Sequence, residues 1–167
     1  MGKEIERKFL VETIPQSVIQ ASELVQIEQG YLAIEKGGKE VRIRKAGDQY
    51  TLTVKTSGTL ERQEFETLLS EEQFNALWPA TTSARIKKSR YILKQQAVTI
   101  EIDYYHAPLS RLMVAEVEFA STSEARRYKP EPWMGKEITH LNFLKNKHLI
   151  TIKSKEELIN LLTNFEI

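Results

Sequence analysis

The sequence predicts a mainly β (α+β) fold, an eight-stranded antiparallel sheet that curls or closes, with helices on its outside. Three observations carry this. Eight runs alternate between polar and apolar residues with the period of two that a strand imposes. Short turn signals join most of them, among them Gly37-Gly38, Ala46-Gly47-Asp48 and Thr56-Ser57-Gly58. Residues 70–78, 121–128 and 155–164 read instead as helices that need an apolar surface to pack on.

The first strand holds Glu4-Ile5-Glu6-Arg7-Lys8, so Glu4, Glu6 and Lys8 share one face while Ile5, Arg7 and Phe9 share the other. A short helix over 15–20 follows, then a second strand over 23–35 with a bulge expected at Gly30. The third strand sets Glu40, Arg42 and Arg44 against Val41 and Ile43. The fourth, YTLTVK, carries Thr51, Thr53 and Lys55 on one face. The fifth, within ERQEFETLL, aligns Arg62, Glu64 and Glu66 opposite Phe65.

The helix at 70–78 has Ser70 as its cap, acids in its first turn and Pro79 as its stop. ARIKKSRYIL and AVTIEIDYY form the next hairpin, which aligns Lys88 with Arg90 and Glu101 with Asp103. RLMVAEVEFA supplies the eighth strand, with Glu116 and Glu118 opposite Val117 and Phe119. Beyond it come a short helix at 121–128, a Pro-rich turn, a helix over 139–149 carrying Lys145 and Lys147, and a last helix over 155–164 capped by Ser154.

Composition excludes several classes. The 24 basic residues nearly cancel the 23 acidic ones, so nothing marks a nucleic-acid or membrane surface. There is no Cys, which rules out disulfides and thiolate metal sites. The N-terminus has no apolar signal region, and no apolar run approaches the roughly 20 residues of a spanning helix. One domain over 1–167, cytoplasmic, is the expectation. A homodimer through an outer sheet face is compatible with this, but no residue signals it. His106, His140 and His148 lack the paired spacing of metal ligands.

A strand pattern defines two faces without saying which is inside. Charges outward would leave the apolar faces to fill the barrel, whereas charges inward would give the helices an apolar surface to cover, and the pattern alone leaves both readings open. Forked guanidinium groups and lysines suit phosphate oxygens, and paired carboxylates suit Mg²⁺ or Mn²⁺. A phosphate chain carrying a divalent metal satisfies both charge sets. No Gly-rich phosphate cradle is present.

Glu4-x-Glu6-x-Lys8 resembles the ExExK signature of the CYTH superfamily, the triphosphate tunnel metalloenzymes. EVRIR, TLTVK, RQEFE, KKSRY, EIDYY and AEVEF continue the likeness along nearly the whole chain, and QGYL, LWPAT, PWMG and KNK are similar to the short bacterial members. The resemblance implies a closed eight-stranded tunnel with a charged lumen, and metal-dependent hydrolysis of inorganic tripolyphosphate with one or two Mg²⁺ (or Mn²⁺) ions. It implies that Lys8, Arg42, Arg44, Lys55, Arg62, Lys88 and Arg90 grip substrate oxygens, with Lys8, Lys88 and Arg90 acting in catalysis. Tyr31 joins them if it reaches the tunnel; packing is its other reading. Glu4, Glu6, Asp103, Glu116 and Glu118 are the implied metal ligands. Glu64, Glu66 and Glu101 come second, since a carboxylate there has the alternative task of holding an arginine. Adenylate cyclase, thiamine or nucleoside triphosphatase, and a non-catalytic polyphosphate-binding module are the other readings.

Overall fold

Strand alternation shapes the architecture. In this computed structural model, which describes residues 5–36, 38–56, 64–95 and 98–164, eight strands hydrogen-bond into one antiparallel sheet. They are β1 (Glu6–Leu10), β2 (Glu23–Ile34), β3 (Glu40–Ala46), β4 (Gln49–Lys55), β5 (Glu64–Leu68), β6 (Arg85–Lys94), β7 (Thr99–Tyr105) and β8 (Met113–Glu118). Their order is β1-β8-β7-β6-β2-β3-β4-β5. The helices are α1 (Gln16–Ala21), α2 (Glu71–Leu77), α3 (Thr122–Arg127), α4 (Asn146–Leu149) and α5 (Lys155–Asn164). None of the described helices is long and apolar enough to cross a membrane. The chain divides into two units, residues 26–87 and residues 5–25 with 88–164.

In the first unit, β3 and β4 pair so that Arg42 faces Thr53 and Arg44 faces Thr51, while Ile43 faces Leu52 on the other side. Helix α2 packs over that apolar side. Ser70 and Gln73 close a reciprocal capping box at its start. Phe74 is buried between Tyr50 and Trp78, with ring centroids 5.1 and 5.0 Å away. A 3-10 turn, Trp78–Thr81, then brings Thr81 against the backbone of Gly30. The bulge of β2 lies between Tyr31 and Ala33 and not at Gly30. Gly30 is required for a different reason: a Cβ there would sit 2.5 Å from Thr81 Oγ1.

In the second unit, β1 pairs with β8 and β8 with β7. Phe9, Ile100, Ile102, Ala115 and Val117 form a buried cluster with Ala125 of α3 and Met134. The charged sides of these strands face away from that cluster. The segment after α3 lies along the free edge of β1: Leu10 N–H donates to Lys136 O (2.9 Å) and Ile138 N–H donates to Lys8 O (2.8 Å). Arg7, on the apolar side of β1, ties this layer together. Its guanidinium forks onto Glu137 (3.0 and 2.6 Å) and donates to the carbonyls of Ala125 and Tyr128. The helix expected over 139–149 is two pieces, a 3-10 turn at Asn142–Leu144 and α4. Lys145 between them is extended, so each piece buries its own leucine, Leu144 or Leu149.

Two outcomes follow from this packing. Thr81 cannot yield freely, because its hydroxyl is held by Trp78 O (2.8 Å) and Arg85 Nε (2.9 Å). Gly30→Ala should therefore lower the unfolding free energy by about 1–3 kcal/mol in urea titrations. An unchanged midpoint would mean that the 3-10 turn moves away at little cost. The second outcome concerns pH. The hydrogen bond from Arg7, aided by Thr139, holds the Glu137 carboxyl below its ordinary range. A depressed carboxyl contributes stability above its unfolded pKa and loses it as pH falls through the folded value. The stability gap between wild type and Glu137→Gln should be full at neutral pH and close below about pH 4, near the ordinary Glu value. A gap of equal size at pH 7 and pH 3 would contradict the pairing.

Candidate active site

In the second unit, register places Lys8 opposite Glu116, Glu116 opposite Glu101, and Arg90 opposite Asp103. These side chains, with Glu6, Glu118 and Lys88, occupy the face turned away from the apolar cluster. Asp103 is 0% exposed and lies at the centre. Arg90 grips it with Nε on Oδ1 (2.7 Å) and Nη2 on Oδ2 (2.7 Å), and Lys88 Nζ donates to the same Oδ2. Arg90 also reaches Glu101 and, at 3.4 Å, Glu116 Oε2. Such a bidentate pair fixes direction as well as charge.

Lys8 Nζ bridges two carboxylates, Glu116 Oε1 at 2.6 Å and Glu6 Oε1 at 3.0 Å. Burial alone would lower its pKa, but the charges of Glu116 and Glu6 outweigh that and hold it raised. Burial would likewise raise Glu116; Lys8, Arg90 and Lys88 more than reverse this and hold it well below the carboxylate range. Lys88, 2% exposed, is pulled down to about 8 by burial first and by the charge of Arg90 second. Glu118 stands opposite Glu6 in the ladder. Among the described residues no three His, Cys, Asp or Glu side chains converge as a ready metal cage.

The first unit also carries a charged strand face. Lys55 Nζ meets Glu64 at 2.8 Å, Arg42 meets Glu64 at 3.8 Å, and Arg44 meets Glu66 at 3.5 Å. Thr53 Oγ1 donates to Glu66 at 3.0 Å. Tyr31 is buried on this face beside Arg42, and burial holds its phenol protonated well above the ordinary range. On this face the buried atoms Arg42 Nε and Thr51 Oγ1 have no hydrogen-bond partner among the described residues. Buried polar atoms are normally paired, so such a pair of orphans marks a place where a polar ligand fits.

Within the second unit the structure places Lys8, Lys88, Arg90, Glu6, Glu101, Asp103, Glu116 and Glu118 on one face, and within the first it places Tyr31, Arg42, Arg44, Lys55, Glu64 and Glu66 on one face. Glu4 and Arg62 lie outside the described residues. Sequence reasoning missed Gln29, which is 1% exposed and donates to the Tyr31 hydroxyl at 3.0 Å. Its signal was available: Gln29 precedes Tyr31 by one strand period and so shares its face.

The chain is similar to known proteins in sequence and in fold. An inorganic triphosphatase of Nitrosomonas europaea is 43% identical over 147 residues, covering 87% of this chain and 95% of its own. An inorganic triphosphatase of Acetivibrio thermocellus is 31% identical over 156 residues, covering 89% and 97%. The crystal structure of an inorganic triphosphatase superposes with a TM-score of 0.71 at 39% identity, covering 92% of this chain and 98% of that one. The model of the CYTH domain matches residues 2–142. With its charged strand faces and this match across most of its length, the chain belongs to the CYTH domain family.

Proposed function

We propose that this chain hydrolyses inorganic tripolyphosphate with the help of Mg²⁺ or Mn²⁺, acting in the cytoplasm on a free substrate, without nucleic acid or membrane. The observation that carries the reading is the pair of orphaned buried atoms, Arg42 Nε and Thr51 Oγ1, on a face with two further cations. Such a site wants an anion with several oxygens. A 43% identical relative that is an inorganic triphosphatase supports the choice of anion.

In this reading Arg42, Arg44 and Lys55 hold phosphate oxygens in the first unit, joined by Arg62, and Tyr31 donates its phenolic proton to one of them. Lys8, Lys88 and Arg90 do the same in the second unit. Asp103 keeps Lys88 and Arg90 aimed, since both of its oxygens are engaged by them. Glu64, Glu66 and Glu101 each hold a basic group.

Asp103, expected among the metal ligands, has both oxygens engaged by Lys88 and Arg90, so Glu6, Glu116 and Glu118, together with Glu4, are the donors assigned to the metal. They fit a hard divalent ion: all are oxygen ligands, and Glu6 and Glu116 already converge on one cation, the Lys8 ammonium. One or two bound ions would neutralise phosphate charge and acidify the attacking water. Water then adds in line to a terminal phosphorus, the bridging P–O bond breaks, and phosphate and pyrophosphate are the products. The basic side chains stabilise the charge on the phosphoryl oxygens through this step.

Phosphate release from tripolyphosphate, ATP and thiamine triphosphate, each with Mg²⁺ or Mn²⁺, tests the proposal. Rapid release from tripolyphosphate, lost without metal, is the expected result. Glu6→Ala should reduce it by about 10²–10³-fold, the scale of one lost charge-stabilising group. Cyclic AMP from ATP would move the chain to the cyclase branch. Tight tripolyphosphate binding without turnover would make it a binding module, and normal metal-dependent turnover in Glu6→Ala would remove Glu6 from the metal site.

A further inference from the structure

We propose that Gln29 is a positioning residue whose amide, donating to the Tyr31 phenol beside Arg42, commits the phenolic proton to a phosphate oxygen of the substrate. The inference rests on the triphosphatase reading above, and it concerns side chains of the first unit alone.

A tyrosine hydroxyl has one proton to give and two lone pairs to accept with. Gln29 Nε2 donates to the Tyr31 oxygen at 3.0 Å. Arg42, its register partner on β3, stands beside it. A guanidinium has no acceptor to offer, and the Gln29 Nε2 that meets the phenol is itself a donor. The single O–H therefore has neither neighbour as a partner and must point to a third group. Tyr31 is also fixed from behind: its backbone N–H donates to Ala84 O at 3.0 Å, next to the bulge that follows it.

Burying an uncharged amide on a face of Glu40, Arg42, Arg44, Thr51, Thr53 and Lys55 is costly unless it has a task. Packing alone would be met by a leucine or methionine. An amide supplies a neutral donor that adds no charge beside Arg42. It also leaves the phenol protonated, which burial already favours. The orphaned Arg42 Nε beside it points to the anion that would accept the proton.

The test is steady-state hydrolysis of tripolyphosphate by the whole protein and four variants. Gln29→Met keeps volume and removes the donor; Gln29→Glu keeps shape and offers an acceptor that takes the phenolic proton. Both should lower kcat at least roughly tenfold with KM unchanged, a part of the ~10²–10⁴ that a positioned proton donor contributes. Tyr31→Phe sets the floor, and Gln29→Met/Tyr31→Phe should fall no further, because the two act as one unit. Losses that multiply in the double variant would overturn the inference, as would wild-type kcat in Gln29→Met. Should Gln29→Met fail to fold, a wild-type kcat in Gln29→Glu overturns it equally. An inactive wild type would instead strike the triphosphatase reading itself.

Discussion

One buried carboxylate organises the second unit. Asp103 has no exposed surface, yet two cations, Lys88 and Arg90, converge on its oxygens. Moving any of the three out of water alone would be expensive, and removing one member of such a buried set typically costs ~3–5 kcal/mol. The set therefore fixes register. A one-residue slip of β6 against β7 would turn Lys88 and Arg90 toward the apolar cluster and leave Asp103 unpaired. Once β6, β7 and β8 are locked this way, Glu101 and Glu116 necessarily stand beside Arg90, and Lys8 beside Glu116.

The same constraint explains where the helices go. With the charged sides committed to each other, only the opposite sides of the strands remain to bury apolar surface. In the second unit α3 and the 133–138 segment cover Ile100, Ile102, Ala115 and Val117, and Arg7 fastens them through Glu137. In the first unit α2 packs on β3 and β4, where Ile43 is buried. Each unit is thus a sheet with an oily back and a charged front. The front is held together by counter-charges.

Much of this was legible in the sequence, and the reason is the strict period of a strand. Glu6 and Lys8, Lys88 and Arg90, Glu101 and Asp103 each share a face because they are two residues apart, and no tertiary information is needed to see it. Features that depend on distant residues were not legible. Gly30 resembled a bulge, but its role is set by Thr81, which arrives from a turn far along the chain. Arg7 sat on the apolar side without an evident partner until Glu137 supplied one. The break at Lys145 follows from burying Leu144 and Leu149 separately, which helical spacing alone does not reveal. Phe65, set opposite Glu64 and Glu66 by pattern, is 63% exposed because β5 is the last strand in the sheet order among the described residues.

The central claim is that chemistry belongs to the charged front and not to basic residues in general. Lys87 and Lys88 are adjacent in sequence and opposite in facing: Lys87 is exposed and paired with Glu28, whereas Lys88 is buried on Asp103. The most direct measurement is the initial rate of phosphate release from tripolyphosphate for Lys87→Ala and Lys88→Ala, both checked for folding by urea titration. The account predicts a wild-type rate for Lys87→Ala and a loss of about 10²–10³-fold for Lys88→Ala. Equal losses in the two variants, or a folded Lys88→Ala protein at wild-type rate, would contradict it.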